Sequence, residues 1–262
     1  MPAAVMMTIL FCIYQKSLDN IQGASEFKVV LRLRGVDVMK IQISDNIIKH
    51  YLRNVYFING HSYAGKSTMV KMLAQRYDMV FCGENYHDVF PREKLSRWKQ
   101  PGLCYFDTMS GWEEWLNMTP EEHWNWTHHV SQECIEIEIL ELVKLSANGK
   151  KVIVDTNIPP EVLREISDYN HVAIMLCDPP DICATRFFDR DDPDKIFMMD
   201  QIKLCPDPDA TLKNFNSWAL YHPPVEIDWN HTGFFTYTRS DFENDTREEV
   251  LAALAKHFNL EK

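Results

Sequence analysis

The chain has 262 residues, of which 45% are hydrophobic, and its formal net charge at pH 7 is −11. That length allows one core of ordinary size or two small domains. The negative charge argues against nucleic acid as a partner, because binding to a phosphate backbone needs a basic face, and lysines and arginines never run longer than two here.

Seven cysteines are scattered along the chain without a C-x-x-C pair or the histidine spacing of a zinc site. An odd, scattered set is typical of reduced thiols, so the sequence predicts a cytoplasmic protein. Three histidines, His123, His128 and His129, fall within one predicted helix but lack the i, i+4 spacing of a metal-binding pair. We expect them at the surface or in capping positions.

Residues 3–14 form an apolar run that is too short to span a bilayer, and the first basic residue follows this run instead of preceding it. We therefore expect neither a signal peptide nor a membrane anchor. Residues 1–50 are predicted to be a peripheral or poorly ordered extension, and residues 51–262 to be the main domain. Met39 would make a natural start for a compact domain, which leaves open whether residues 1–38 belong to the functional protein.

The strongest motif is a loop bounded by two glycines. An apolar run over residues 54–59 enters it at Gly60, and a segment with helical periodicity leaves it after Lys66. The glycines allow a sharp turn that points N–H groups inward, and the helix N-terminus adds partial positive charge, so the loop is predicted to cradle phosphates. Lys66 would bridge the β- and γ-phosphates of a nucleotide, and the Ser67 hydroxyl would hold Mg²⁺. The predicted phosphate-binding residues are Gly60, His61, Ser62, Tyr63, Ala64, Gly65, Lys66, Ser67 and Thr68.

A short apolar run at residues 78–82 predicts the second strand of a buried parallel sheet. Polar and acidic residues follow it directly at residues 83–88. Ligands bind at the carboxyl ends of such strands, so Glu84 is a candidate for contact with the substrate. The alternative is an ordinary solvated loop carboxylate.

The next stretch, about residues 84–118, is a loop-broken insert that is rich in aromatic residues. Five of the seven tryptophans lie between Pro91 and Trp126, among proline and glycine turn signals. We expect a lid or a substrate pocket, and the alternative is a helical cap that its own tryptophans pack. Thr119 and the proline and acids after it then predict the start of a long helix that ends near Ser146.

Residues 151–155 form a β-branched run that ends in an acid. This pattern resembles the strand that places a Walker B carboxylate beside the magnesium ion of a phosphate-binding loop. Asp155 is therefore predicted to bind the metal together with Ser67. The alternative is an aspartate that caps the next turn. Another apolar run, at residues 171–177, predicts the fourth strand.

A predicted helical lid spans about residues 181–224. Arg186 and Arg190 are four residues apart, so on a helix they share a face and can close on one phosphate. Arginine in that position would neutralise charge on the transferring phosphoryl group. The alternative is a set of ordinary ion pairs with neighbouring aspartates. Residues 234–238 predict the fifth strand, and an amphipathic helix with an acidic start closes the chain.

In this order the elements resemble the nucleoside monophosphate kinase and shikimate kinase group of P-loop small-molecule kinases, over about residues 52–260. The resemblance implies a three-layer α/β fold of the P-loop NTPase type, with a five-stranded parallel sheet, a helical lid and Mg-ATP as the phosphoryl donor. It also implies that Arg186 and Arg190 are lid arginines and that Glu84 binds the acceptor or serves as a base. Residues 155–159 lack the Asp-Gly-Phe-Pro-Arg run of adenylate kinases, so the acceptor is not identified.

The predicted function is the transfer of a phosphoryl group from Mg-ATP to a hydroxyl or phosphate of a small metabolite. Lys66 would hold the phosphates, Ser67 and Asp155 would organise Mg²⁺, and either Glu84 or Asp155 would take the acceptor proton. The alternative is a nucleotide-binding switch or regulatory ATPase that acts on a protein partner. The sequence has no N-K-x-D motif, which disfavours a guanine-specific switch. The oligomeric state is left open.

Overall fold

The computed structural model describes residues 43–182, 186–189, 193–221 and 227–261. Its central element is a sheet of five parallel strands in the order β2-β3-β1-β4-β5. The strands are β1 (Val55–Gly60), β2 (Val80–Cys82), β3 (Val152–Asp155), β4 (Val172–Cys177) and β5 (Phe235–Arg239). The predicted α/β class and the five-stranded parallel sheet are confirmed.

Eight α-helices lie in the described ranges. They are α1 (Asp45–Tyr51), α2 (Lys66–Arg76), α3 (Trp112–Leu116), α4 (Pro120–Ser146), α5 (Pro160–Ile166), α6 (Pro193–Lys203), α7 (Pro208–Trp218) and α8 (Arg247–His257). α4 begins with a capping box, in which Thr119 and Glu122 satisfy each other's backbone N–H groups. None of these helices combines the length and the apolar character needed to cross a membrane.

Both faces of the sheet are covered, so successive residues of β1 face different hydrophobic clusters. Val55 and Phe57 pack in one cluster with residues of α4 and α5. Tyr56 and Ile58 pack in the other with residues of α2 and α8. This alternation is the geometry of a strand, and burial on both faces explains why the strands are continuous apolar runs in the sequence. The fold therefore has three layers, with helices on each side of one sheet.

The register of the strands determines which residues meet at the edge of the sheet. β1 pairs with β3 so that Ile58 lies opposite Asp155, and β1 pairs with β4 so that Gly60 lies opposite Met175. Because all the strands are parallel, their carboxyl ends reach the same edge, where ligands bind in open α/β sheets. The loop that follows β1 is therefore a neighbour of Asp155.

Helix α1 lies across residue 50, where the main domain is expected to begin, and packs against the rest of the fold. Its Ile48 packs against the hydrophobic cluster that includes α4 and α5, and Lys49 forms an ion pair of 2.8 Å with Asp168. The helix continues through residue 50 without a break. Residues 1–42, most of the expected extension, lie outside the described residues.

The segments expected as an aromatic insert and as a lid share one hydrophobic cluster, which we call the aromatic cluster. The Trp218 indole N–H donates to the Met118 carbonyl oxygen at 3.0 Å, and Asn214 donates to the same oxygen at 2.9 Å. These bonds fasten α7 to the chain between α3 and α4. Trp98, by contrast, is 96% exposed and takes no part in the cluster. The buried members of the cluster are Trp115, Leu116, Phe187, Met198, Ile202, Cys205, Phe215 and Trp218.

Candidate functional site

The loop between β1 and α2 requires glycine at both ends. Gly60 has a φ of 122°, and a Cβ atom there would lie 2.0 Å from the Met175 carbonyl oxygen. Gly65 has a φ of 95° and precedes α2 directly. Residues with a side chain rarely adopt such angles. The two glycines of the motif are therefore explained by the backbone path, which brings the loop against the end of β4.

The N-terminus of α2 opens into this loop. α2 begins at Lys66, and its N-cap residue, Gly65, has no side chain with which to cap the first turn. The first N–H groups of a helix have no partner within the helix, and the helix dipole places partial positive charge there. This end of α2 can therefore accept an anion.

Two side chains from the first turn of α2 and one from the end of β3 meet at the start of α2. Lys66 Nζ donates to the His61 carbonyl oxygen at 3.1 Å and lies 4.0 Å from Asp155 Oδ1. Ser67 Oγ donates to Asp155 Oδ2 at 2.6 Å, across 88 residues of sequence. Lys66 is 6% exposed and Asp155 is 1% exposed. The structure thus brings together the two residues that the sequence predicts as metal ligands.

Asp155 occupies an unfavourable position for a charge. Its pKa is raised to about 6, chiefly by burial and also by the charge of Glu84, while Lys66 and the hydrogen bond from Ser67 act in the opposite direction. Its Oδ1 atom is buried and accepts no hydrogen bond from the described residues. A buried oxygen that accepts no hydrogen bond destabilises the folded state. A cation at this oxygen would remove that penalty, so Ser67 and Asp155 fit a metal ion that prefers oxygen ligands.

His61 supports the loop from its buried side. Burial, followed by the charge of Lys66, lowers the pKa of its ring to about 4, so the ring is neutral at pH 7. Its Nδ1 accepts a hydrogen bond of 3.2 Å from the N–H of Cys177, at the end of β4. The side chain of His61 therefore ties the loop to β4, while its carbonyl oxygen positions Lys66.

Two asparagines that the sequence analysis did not identify brace this end of the sheet. Asn59 donates from Nδ2 to the Ile158 carbonyl oxygen at 2.6 Å and accepts at Oδ1 from the Gly60 N–H at 2.6 Å. Asn157 donates from Nδ2 to Glu84 Oε1 at 3.4 Å. Both asparagines are buried. The available signal for Asn59 was an amide side chain inside an otherwise apolar strand.

Glu84 belongs to the same polar group as the loop. It follows β2, is half-buried, and lies close enough to Asp155 for its charge to raise the pKa of that acid. The hydrogen bond from Asn157 orients its carboxylate. Lys66, Ser67, Asp155 and Glu84 are therefore all brought together at the carboxyl edge of the sheet.

Arg186, the first of the two predicted lid arginines, reaches the loop. A side-chain hydrogen bond with Tyr63 is the main cause that raises the pKa of its guanidinium, and the charge of Glu243 contributes. Arg186 Nη2 lies 3.7 Å from Glu243 Oε1. Arg190 lies outside the described residues. Residues 183–185, 190–192 and 222–224 of the predicted lid also lie outside them.

A cavity of about 400 Å³ opens beside the loop. Gly65 and Thr68 line it on one side, and Arg239, Glu243 and Asn244, which end or follow β5, line it on the other. The volume is within the range of small-molecule sites. Sequence reasoning missed Arg239, although its place at the carboxyl end of a parallel strand was a usable signal.

Arg239 is held in place by three contacts. Its Nη1 donates to the Tyr63 carbonyl oxygen at 3.5 Å, and its Nε donates to the Asp241 carbonyl oxygen at 3.2 Å. The guanidinium also lies 4.6 Å from the centre of the Phe242 ring, a cation–π distance. A flat cation fixed in this way forms one wall of the cavity.

Comparison of the chain with protein-family models, curated proteins and solved structures finds no match. The chemistry of the site is therefore inferred from its own side chains. They supply a buried ammonium group, a carboxylate that is bonded to a hydroxyl, a helix N-terminus and an adjoining cavity.

Replacing Asp155 by asparagine should stabilise the ligand-free protein increasingly as the pH rises. Between about pH 4 and 6 the folded protein keeps a proton on Asp155 that the unfolded chain has lost, because folding raises the pKa from 3.8 to about 6. Stability due to Asp155 therefore falls as the pH rises through this window. Asparagine does not ionise, so the free energy of unfolding of Asp155→Asn should rise relative to that of the wild type through this window and then level off. The total rise should be about 3 kcal/mol at most.

Urea unfolding of both proteins from pH 4 to 8, with a chelator present, measures this difference. A difference for Asp155→Asn that does not change with pH would contradict the electrostatic description of the site.

Proposed function

We propose that this protein is a P-loop kinase that transfers the γ-phosphoryl group of Mg-ATP to a hydroxyl group of a small metabolite. The observation that carries the proposal is the bond from Ser67 to Asp155, beside Lys66 at the N-terminus of α2. This arrangement combines a cation for phosphates, oxygen ligands for a metal and a helix end for an anion. Phosphoryl transfer depends on these three features of a site.

Lys66 supports the binding of a polyphosphate. It is buried, and its nearest carboxylate oxygen lies 4.0 Å away, which is a loose contact for an ion pair. The β- and γ-phosphates of ATP, cradled by the loop, would give its ammonium group closer anionic partners. Two further sources of positive potential, the loop N–H groups and the α2 dipole, act at the same place.

The oxygen ligands fit Mg²⁺, a hard cation that binds oxygen. Ser67 and Asp155 would hold it, and the Oδ1 atom that accepts no hydrogen bond from the described residues would gain a partner, directly or through water. When bound, Mg²⁺ supplies charge neutralisation to the phosphates. Asp155 has to be ionised for this, and both Lys66 and Ser67 favour its ionised form.

The cavity beside the loop is suited to hold the nucleoside part of ATP. It adjoins Gly65 and Thr68, so a nucleotide whose phosphates lie in the loop can extend into it. The Arg239 guanidinium offers a flat cation against which an aromatic base can stack. Glu243 and Asn244 add polar groups that can bond to a base or a ribose.

We assign the proton-accepting role to Glu84. Asp155 is bonded to Ser67 and assigned to the metal, whereas Glu84 is half-buried at the end of β2 and oriented by Asn157. Glu84 would take the proton of the acceptor hydroxyl while that oxygen bonds to the γ-phosphorus and the bond to ADP breaks. The proposal thus resolves the choice between the two acids in favour of Glu84.

The side of the site that follows β2 favours an acceptor without a phosphate of its own. This chain segment carries the acids Glu84 and Asp88, which would repel a second phosphate. The next arginine, Arg92, is paired with Asp107 at 2.8 Å. A neutral or cationic hydroxyl compound fits these charges better than a nucleoside monophosphate.

Arg186 is proposed to assist the transfer. Its contacts with Tyr63 and Glu243 hold it next to the loop. Since its side chain is 39% exposed, the ion pair with Glu243 can exchange for one with a phosphate at low cost. The guanidinium would then offset charge on the phosphoryl group.

Lys66→Ala should reduce turnover by about 100-fold or more, because it removes the cation that is bound to the transferring phosphate. The matched control is Lys71→Ala, an exposed lysine on the same helix, which should keep the wild-type rate. The measurement is ATP consumption with Mg²⁺, alone and against a panel of sugars, nucleosides, amino-alcohols and nucleotides. A normal rate for Lys66→Ala would refute the mechanism, and slow turnover that no acceptor stimulates would favour a switch acting on a protein.

Glu84→Gln should lower kcat by about 10²- to 10⁴-fold through loss of the base, while ATP binding is retained because Lys66, Ser67 and Asp155 stay in place. Glu93→Gln, an exposed acid in the same segment, is the control. Steady-state kinetics with the acceptor from the panel, together with calorimetric titration of ATP, separates the two effects. An unchanged kcat for Glu84→Gln would assign the base elsewhere.

A further inference from the structure

A second group of ligand-type side chains lies between the segment after β2 and helix α4. It consists of His87, Cys134 and Glu138, and one candidate ligand atom from each residue lies within 4.8 Å of the others. All three residues are buried. Cys134 and Glu138 are four residues apart on α4 and so share a face, while His87 comes from the 3-10 turn Tyr86–Val89. The proposed kinase mechanism uses none of them.

The neighbours of this group resemble the outer shell of a metal site. His87 Nδ1 faces Glu138 Oε1 at 3.0 Å, and the other ring nitrogen, Nε2, lies 3.7 Å from Asp88 Oδ1. The second oxygen of Glu138 accepts a hydrogen bond of 3.1 Å from the Tyr86 hydroxyl. Histidine ligands of metals are commonly oriented by a carboxylate at the free ring nitrogen, and ligating carboxylates are commonly hydrogen-bonded in turn. The hydrogen bond to Glu138 is present here, and Asp88 lies near the free ring nitrogen of His87, at a distance longer than a hydrogen bond.

We propose that His87, Cys134 and Glu138 bind a transition-metal ion, and that Zn²⁺ is the ion that fits best. One nitrogen, one sulfur and one oxygen donor suit a borderline-soft ion, whereas Mg²⁺ and Ca²⁺ prefer oxygen throughout. Ligand atoms around tetrahedral zinc lie about 3.3 to 3.7 Å apart, given bonds of about 2.0 to 2.3 Å. Small side-chain movements bring these three atoms to that spacing. A water molecule would complete the tetrahedron.

Binding of a metal ion at this position releases a proton from its ligands. Burial raises the pKa of the Cys134 thiol, so the metal-free protein carries a thiol and the bound form a thiolate, with the proton released to solvent. The affinity for Zn²⁺ therefore rises with pH.

The site would fasten the segment that carries Glu84 to helix α4. The Tyr86 hydroxyl bridges Glu138 Oε2 and Thr156 Oγ1, at 3.1 Å each, and Thr156 follows Asp155 directly. The proposed zinc site thus links this segment to α4 and lies one hydrogen bond away from the loop after β3. It does not depend on the kinase proposal, because its ligands are separate from Lys66, Ser67 and Asp155.

The test uses Co²⁺ as a spectroscopic substitute for Zn²⁺ in the full chain after treatment with a chelator. A cysteine ligand gives an intense thiolate-to-cobalt band in the near ultraviolet, which oxygen-only sites such as Ser67 and Asp155 do not produce. We expect this band with one equivalent of Co²⁺, and its loss on addition of one equivalent of Zn²⁺. Asp155→Asn, which changes the proposed Mg²⁺ site, should keep the band. The test of this site is therefore independent of the test of the kinase proposal.

Cys134→Ser should abolish the band, whereas Cys205→Ser, at a cysteine that is also buried but lies in the aromatic cluster, should keep it. Asp88→Asn changes a side chain that is 37% exposed, so it should leave the fold intact and weaken Zn²⁺ binding by about 10- to 100-fold. Circular dichroism checks that each variant is folded. Absence of the band in the wild type, its persistence in Cys134→Ser, or equal Zn²⁺ affinity in Asp88→Asn would overturn the proposal.

Discussion

One buried carboxylate organises the functional end of this molecule. Asp155 is 1% exposed, and the hydroxyl of Ser67 and the ammonium group of Lys66 compensate for its charge. Moving a carboxylate out of water costs several kcal/mol, so the fold has to bring both partners within reach, which the parallel pairing of β1 with β3 achieves. The compensation is incomplete, because the pKa of Asp155 stays raised. A site that lacks positive charge in this way is suited to a cation that arrives with a ligand.

Much of the fold can be predicted from the sequence because its signals are local. The apolar runs at residues 151–155 and 171–177 correspond to β3 and β4, and the capping box that begins at Thr119 marks the start of α4. Gly60 and Gly65 are visible for the same reason, since a backbone with positive φ strongly favours glycine. Each signal depends only on the preferences of neighbouring residues and on burial.

Contacts between remote segments leave no such signal. The aromatic cluster joins α3 to α6 and α7, yet the tryptophans of a packed cap and of a ligand pocket look alike in sequence. The bond from Asn157 to Glu84 spans 73 residues, and Arg239 reaches Tyr63 across 176. The group formed by His87, Cys134 and Glu138 is not visible in the sequence, because His87 lies far along the chain from the helix that carries the other two. The order of the strands in the sheet is not visible in the sequence either. It depends on which strands pair, and the apolar runs that predict the strands do not determine this.

The most direct test of the central claim is a crystal structure with Mn²⁺ and a non-hydrolysable ATP analogue, in which anomalous scattering locates the ion. We predict an anomalous peak for Mn²⁺ within bonding distance of Ser67 Oγ, with Asp155 bound to the ion directly or through one water molecule. The phosphates should lie along the loop, with Lys66 between the β- and γ-phosphates. Two results would contradict the proposal that this edge of the sheet carries out phosphoryl transfer. One is a nucleotide bound elsewhere, and the other is a loop without phosphates in which Lys66 still points at Asp155.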